Sequence, residues 1–362
     1  MNFKSMRNIA GVAAGVFVFV SGCAGPSSST RPAAVSAPRP PSVSQSVGGD
    51  VIPALLAQVS EENLRRNLFH IAKDPIPFRK VNYRVPGHKR STLDETDDWI
   101  EKQLRGWGYR VERETCQVQA FSCDLKKPRH HTYAPPLPDA PFYKACNLYV
   151  KKTGRRCPKE IILLLAHKDS QSWTDSPGAY DNAVGTAAML EIARVLAGQP
   201  IDAWIVWFDG EECVVKYDEK DGFYGSLHFV RQLFEQKKLR QIQAAIVLDM
   251  VADKRLKLTI PDPDERGAPL VQHVFAAAIS LGLRDYVGLM GQSLLDDHMA
   301  FVWNGVPAID LIDFDYGNIP GANNFWHTER DTLENCSPDS LRISGQIALE
   351  LLRRLAFEKW PK

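Results

Sequence analysis

Three short apolar runs, residues 161–166, 203–208 and 244–248, with a further strand-like stretch at 308–312, constrain this chain more than any other feature. Continuous apolarity over such a length fits a strand covered on both faces, because an edge or half-exposed strand would alternate. Helical stretches separate them. Residues 182–196 place Val184, Ala188, Ile192 and Val195 on one side, and 224–234, 270–281 and 340–355 also have helical spacing. Strand–helix alternation of this kind predicts the α/β class: a single domain with a central mixed, mainly parallel sheet flanked by helices. Upstream, Ser60 caps a helix running to Ile71, and 92–104 forms a second helix stopped by Gly106 and Gly108. Strands are expected over 109–119 and 147–151, with a proline-bearing loop over 134–141. No internal repeat is visible.

Composition narrows the function classes. The 362 residues carry 44 basic and 43 acidic side chains, a formal net charge of +1, without a basic stripe. A nucleic-acid partner is therefore not expected. The first 22 residues have a different character. Lys4 and Arg7 precede an apolar run, 9–20, too short to span a bilayer comfortably and suited to a secretory signal. Val20-Ser21-Gly22-Cys23 resembles a bacterial lipobox, which makes Cys23 the lipidated first residue of the mature chain; cleavage without lipidation is the alternative. Ala24 after the cysteine resembles the enteric sorting pattern for the outer membrane, so the expectation is an exported lipoprotein facing the periplasm. Residues 23–50, rich in Pro, Ser and Ala, cannot bury enough apolar surface to order themselves and read as a tether. The domain plan is thus 1–22 signal, 23–50 tether and 51–362 catalytic domain.

Six further cysteines remain: Cys116, Cys123, Cys146, Cys157, Cys213 and Cys336. An exported protein permits disulfides, and Cys116 with Cys123 is the favoured pair among the possible pairings. No Cys-x-x-Cys pair is present, which argues against a structural zinc knuckle.

Polar chemistry sits at the ends of the apolar runs. His167 and Asp169 close the first, Asp209-Gly210-Glu211-Glu212 follows the second, and Asp249 closes the third. In open α/β sheets ligands bind outside the carboxyl ends of the strands. Adjacent carboxylates there are costly unless paired, protonated or bound to a metal. Neighbouring side chains in an extended segment point in different directions, so one glutamate can hold a cation while the other faces a reacting water or amine. His167, Asp181, Glu212, Asp249 and His327 are the candidate ligands. Each alone has an ordinary explanation: a strand-end histidine, a helix N-cap before Asn182, turn acids, a packed loop histidine. Together at one end of a sheet they match the His and carboxylate donors of catalytic zinc.

The motifs, in order, are His167-x-Asp169-Ser170, Gly178-Ala179-x-Asp181-Asn182, Asp209-Gly210-Glu211-Glu212, Asp249, Asp297-His298 and Trp326-His327-Thr328. This set resembles the zinc aminopeptidase family that also contains the glutaminyl-peptide cyclotransferases, over roughly residues 55–358. The resemblance implies a zinc exopeptidase-like three-layer sandwich. In the di-zinc aminopeptidases it makes Asp181 a bridge, with His167 and Asp249 on one zinc and Glu212 and His327 on the other. Glu211 is then the general base and Asp169 orients His167. In the cyclotransferases one zinc is held by Asp181, Glu212 and His327; Glu211 shuttles a proton, and Asp249 and Asp297 form an acidic network with it. Trp326 and Tyr217 would wall the substrate pocket.

The segment EECVVKYDEKDGFYGS (211–226), Asp296-Asp297-His298 with Phe301 and Gly305-Val306-Pro307, and Phe325-Trp326-His327-Thr328 resemble the cyclotransferase branch. Departures are Tyr217 where those enzymes usually carry tryptophan, and the aminopeptidase-like wording of 182–185. Ala166 and Thr186 stand where animal cyclotransferases have a cysteine pair. The expectation is a zinc-dependent enzyme acting on peptide or protein N-termini and forming pyroglutamate from N-terminal glutamine. The alternative is an aminopeptidase with one or two zinc ions; an inactive peptidase-like binding module is a third reading, against which the intact Glu211 and ligand set argue.

Overall fold

Alternate residues of a buried strand leave the sheet in opposite directions, and this chain builds a separate core on each side. The computed structural model describes residues 55–120, 141–152 and 160–357, apart from 173, 215 and 219. The strands are β1 (Val111–Gln119), β2 (Phe142–Lys152), β3 (Ile161–His167), β4 (Ala203–Phe208), β5 (Ile242–Asp249), β6 (Leu258–Ile260), β7 (Val287–Leu289) and β8 (Ala308–Ile312). The helices are α1 (Glu61–Ala72), α2 (Thr92–Gly106), α3 (Val184–Leu196), α4 (Tyr224–Glu235), α5 (Ala268–Ser280), α6 (His298–Val302) and α7 (Pro338–Phe357). Along β3, Ile162, Leu164 and Ala166 enter the core covered by α1, α3, α5 and α7. Ile161, Leu163 and Leu165 enter the one covered by α4 and α6. Two-sided burial is why these runs are apolar throughout.

Among the described residues the strands form one mixed sheet in the order β1-β2-β4-β3-β5-β8-β6-β7. The centre, β4-β3-β5-β8, is parallel. Antiparallel pairings join β2 to β1 and β4 on one flank, and β6 to β8 on the other. The chain passes from β3 to β4 on one side, then returns to β5 on the other, so the carboxyl end of β3 is a point where the winding reverses. Crevices for ligands open at such points.

The expected α/β sandwich is the fold observed, with three local differences. β2 begins five residues earlier than its apolar core, because its pairing with β1 extends from Phe142 through residues exposed to solvent. β6 and β7, each three residues long, are too short to leave a periodic signal. Regular helix begins at Val184 rather than Asn182, since Asp181 and Asn182 have non-helical backbone. Asn182 instead accepts from Gly185 N at 2.9 Å and donates to Leu248 O at 2.8 Å, stapling this turn to β5. A Cβ at Gly185 would lie 2.4 Å from that carbonyl, so only glycine permits the approach.

The signal, the tether and the lipidation candidate Cys23 lie outside the described residues, as do Cys123 and Cys157. Cys116 is a buried free thiol. No helix among the described residues is long and apolar enough to cross a membrane.

Ser60 and Ser91 cap α1 and α2, the latter with a reciprocal bond from Asp94. The two helices meet where His70 stacks on Trp99, ring centroids 3.6 Å apart. Burial lowers the His70 pKa to about 4, outweighing the opposite pull of Asp74. The imidazole is therefore neutral in the fold but takes up a proton in the unfolded chain below its ordinary value. Its contribution is complete above about pH 6.5 and is lost as pH falls towards 4. His70→Phe keeps the stack without the titration, so its melting temperature should fall less steeply than that of the parent between these limits. Equal slopes in thermal unfolding across that range would contradict the assignment.

Candidate active site

Three strand ends and two loops deliver the polar residues to one place. β3 ends in His167, β5 ends in Asp249, and β4 leads into Asp209-Gly210-Glu211-Glu212. The turn before α3 supplies Asp181, and the loop after β8 supplies Trp326 and His327. His167, Asp181 and Asp249 present ligand atoms within 4.8 Å of one another, and so do Asp181, Glu212 and His327. Asp181 belongs to both groups. Its Oδ1 is 3.1 Å from His167 Nε2 and its Oδ2 is 3.1 Å from His327 Nε2. Asp249 Oδ1 is 3.4 Å from His167 Nε2, and Glu212 Oε2 is 3.2 Å from His327 Nε2.

These groups are buried, and that sets their protonation. Burial disfavours a charged Asp181, yet His167 and His327 hold its carboxyl well below the usual range. Burial likewise opposes a charged His327, but Glu212 and Asp181 raise it to about 10. Glu211 is pushed well above the ordinary carboxylate range, by burial first and then by Asp296, Glu212 and Asp297, with His167 opposing. A carboxyl with its proton affinity raised in this way is the arrangement expected of a group that takes up and gives back a proton.

The donor set fits a divalent cation. Both ring nitrogens of His167, Glu212 Oε1 and Asp249 Oδ1 are buried and meet no hydrogen-bond donor. Among the described residues the ion-pair partners of the Asp181, Glu212 and Asp249 carboxyls are imidazoles. Lone pairs of this kind are costly without a cation. Imidazole and carboxylate are donors that zinc accepts.

The surrounding residues explain how the site stays in place. Asp169 accepts from the backbone amides of Glu211 at 3.2 Å and Glu212 at 3.3 Å, and lies 3.4 Å from His167 Nδ1. Trp326 donates to Asp181 Oδ2 at 2.8 Å and stacks on His327, centroids 3.9 Å apart. It thus bonds a candidate ligand as well as standing beside the site. His327 has φ of 55°, a left-handed conformation uncommon outside glycine, so its placement rests on this packing. Tyr217 OH reaches Glu212 Oε2 at 2.9 Å and Glu211 Oε2 at 3.3 Å.

The acidic network differs in detail from the expectation. The acid beside Asp249 is Asp296, which stands in turn against Asp310. Contact between carboxyls requires shared protons, and burial with the charge of Asp249 raises Asp296 to about 8. Asp297, just before α6, is also buried near Glu211, and burial with the charge of Asp296 raises it to about 8. In the sequence nothing separates Asp296 from Asp297, since two adjacent aspartates look alike there.

Four other residues carry no local signal at all. Gln171 donates to Glu212 Oε2 at 2.9 Å. Asp331 accepts from the amides of Tyr180 and Asp181, at 2.6 and 3.2 Å. Arg79, wholly buried, directs its guanidinium to backbone carbonyls of Lys168, Ile71, Pro177 and Gly178. Lys168, also wholly buried, pairs with Asp97 of α2 at 2.8 Å and Asp209 at 3.0 Å. Burial opposes the Lys168 charge, but these two carboxylates outweigh it and keep it protonated.

The sheet order and the position of the site define an α/β exopeptidase-like fold. The sequence profile of Peptidase family M28 matches residues 147–352, and the chain belongs to this family. Aminopeptidase YwaD of Bacillus subtilis (strain 168) is 31% identical over 221 residues, which are 59% of this chain and 45% of the relative. The glutaminyl-peptide cyclotransferase of Dictyostelium discoideum is 25% identical over 214 residues, 49% of this chain and 55% of the relative. The chain thus matches about half the length of these curated relatives. The crystal structure of an Acidobacteriales bacterium glutaminyl cyclase superposes with a TM-score of 0.69 at 25% identity, over 87% of this chain and 100% of that one.

Replacing Lys168 with Met should leave Asp209 buried without a counter-charge and Asp97 with Arg113 alone, at 3.7 Å, and cost about 3–5 kcal/mol of stability. Denaturant unfolding checks this. Adding Asp97→Asn to Lys168→Met should recover part of the loss, and a single variant as stable as the parent would remove the ion pair from the account.

Proposed function

We propose that the chain is a zinc-dependent glutaminyl-peptide cyclotransferase-like enzyme, converting N-terminal glutamine of peptides or proteins to pyroglutamate with release of ammonia. The observation that carries this reading is the cluster of buried acids around Glu211: burial, and then Asp296, Glu212 and Asp297, raise its affinity for a proton. A carboxyl so placed suits a group that takes up a proton and gives it back. The likeness to cyclotransferases in sequence and fold supports it.

Asp181, Glu212 and His327 would hold the zinc. When bound, the ion supplies Lewis-acid polarisation of the scissile amide carbonyl. The chain's residues supply the rest. Trp326, and Tyr217 at the edge of the site, flank the space where the glutamine side chain would lie. There the substrate's α-amine attacks its own γ-carboxamide carbon, and the ring C–N bond forms as the bond to the amide nitrogen breaks. Glu211 takes a proton from the amine and returns one to the departing nitrogen, which leaves as ammonia. The attack is intramolecular, so orientation accounts for much of the acceleration.

A second reading, aminopeptidase activity, is favoured by one observation: His167, Asp181 and Asp249 make a second complete ligand group. The similarity to Aminopeptidase YwaD points the same way. In both readings the signal would direct export, and lipidated Cys23 with the tether would hold the domain at a membrane, facing the periplasm.

Purified protein incubated with Gln-initiated and Leu-initiated peptides decides between the readings by product mass and metal count. Cyclised product with one zinc supports the first; released amino acids with two zincs support the second. Glu211→Gln should lower kcat by about 10²–10⁴-fold while zinc content stays at the parental level; retained turnover would refute the proton role. Chelation should abolish turnover, and added zinc should restore it; activity indifferent to both would refute the metal dependence.

A further inference from the structure

A glutamate side chain has a broad terminal torsion, so a bare Glu212 would present its oxygens in many orientations. Here one oxygen is held from several directions. Glu212 Oε2 accepts from Tyr217 OH at 2.9 Å and from Gln171 Nε2 at 2.9 Å, while lying 3.2 Å from His327 Nε2.

Both donors are themselves fixed. The Gln171 carbonyl oxygen accepts from Ser172 N at 2.7 Å, which sets the direction of its amide. The Tyr217 ring stacks on buried Phe223 with centroids 5.2 Å apart, and the Phe223 amide bonds Glu211 O at 2.9 Å. Gly222, with φ of +86°, leaves room for the ring; a Cβ there would come within 2.9 Å of it. Asp221 frames the intervening loop by accepting from Val214 N at 2.7 Å and Lys216 N at 3.1 Å. The Tyr217 hydroxyl has one proton, and the shorter contact assigns it to Glu212. Its oxygen remains 3.3 Å from Glu211 Oε2.

We propose that Tyr217 is a positioning residue: with Gln171, its hydroxyl fixes the rotation of the Glu212 carboxylate. This rests on the reading of Glu212 as a metal ligand, and it assigns Tyr217 a task beyond walling the pocket. The ring alone would serve a wall; only the hydroxyl serves this role. Hydrogen bonds from outside the ligand set to a ligating carboxylate commonly tune metal affinity and activity.

The test is Tyr217→Phe, which keeps the ring and its stacking. Zinc affinity measured by chelator competition should weaken about tenfold, and kcat should fall about tenfold with KM for the substrate peptide within about twofold of the parent. Gln171→Leu should act in the same direction on zinc affinity, and the double variant should lose less than the sum, because both donors meet one oxygen. Unchanged zinc affinity in both single variants overturns the proposal, and so does a change confined to KM or to melting temperature. If Tyr217→Phe does not fold, Gln171→Leu decides by the same zinc measurement. Zinc competition needs no turnover, so a parent inactive on every peptide would sink the functional reading while this assignment was still decided by metal affinity.

Discussion

Buried negative charge is the constraint from which the rest of the site follows. Asp181, Glu211, Glu212, Asp249, Asp296 and Asp297 converge at the carboxyl edge of the parallel strands, almost without solvent. Carboxylates in such a setting must be protonated, paired or bound to a cation. The molecule divides these solutions by position. His167 and His327 sit against Asp181, shared protons serve Asp249 and Asp296, and the remaining lone pairs suit a metal. Arg79 and Lys168 stand one layer back, where their charges reach the carboxylates without occupying the ligand positions.

That arrangement also accounts for the unusual backbone nearby. Asp181 and Asn182 interrupt what would have been the first turn of α3, and His327 adopts a left-handed conformation. Each deviation is matched by specific partners: Asp331 and Asn182 for the turn, Trp326 for the histidine. Regular helix through 181 would have given up those bonds and moved the carboxylate shared by the two ligand groups. Local geometry has been surrendered where the chemistry needs a carboxylate aimed.

The sheet and the ligand candidates were legible in the sequence because their signals are local. A two-sided buried strand is apolar without a break, and a His or Asp at the end of such a run needs no tertiary knowledge to notice. Residues whose importance lies in contacts across the chain were not legible. Gln171 and Asp331 resemble ordinary loop residues, and Lys168 between two conspicuous neighbours resembles a surface lysine until its burial is seen. Tyr217 was visible as an aromatic near the glutamates, yet the reach of its hydroxyl depends on a loop framed by Asp221. Asp296 and Asp297 show the finest limit: adjacent identical residues differ in role only through the direction each takes at the start of α6.

Arg79 and Asp97 have a consequence for modularity. The family-matched region begins at residue 147, whereas Arg79 and Asp97 come from the helical segment before it. Arg79 gathers carbonyls from the end of α1, the end of β3 and the Asp181 turn; Asp97 neutralises Lys168 inside the site. The candidate site is therefore closed by contacts between residues about 70 to 100 positions apart. Such contacts form late in a chain that must first close the intervening loops. A fragment cut to the matched region would retain every candidate ligand and lose the Arg79 guanidinium and the Asp97 carboxylate that hold their supports in register.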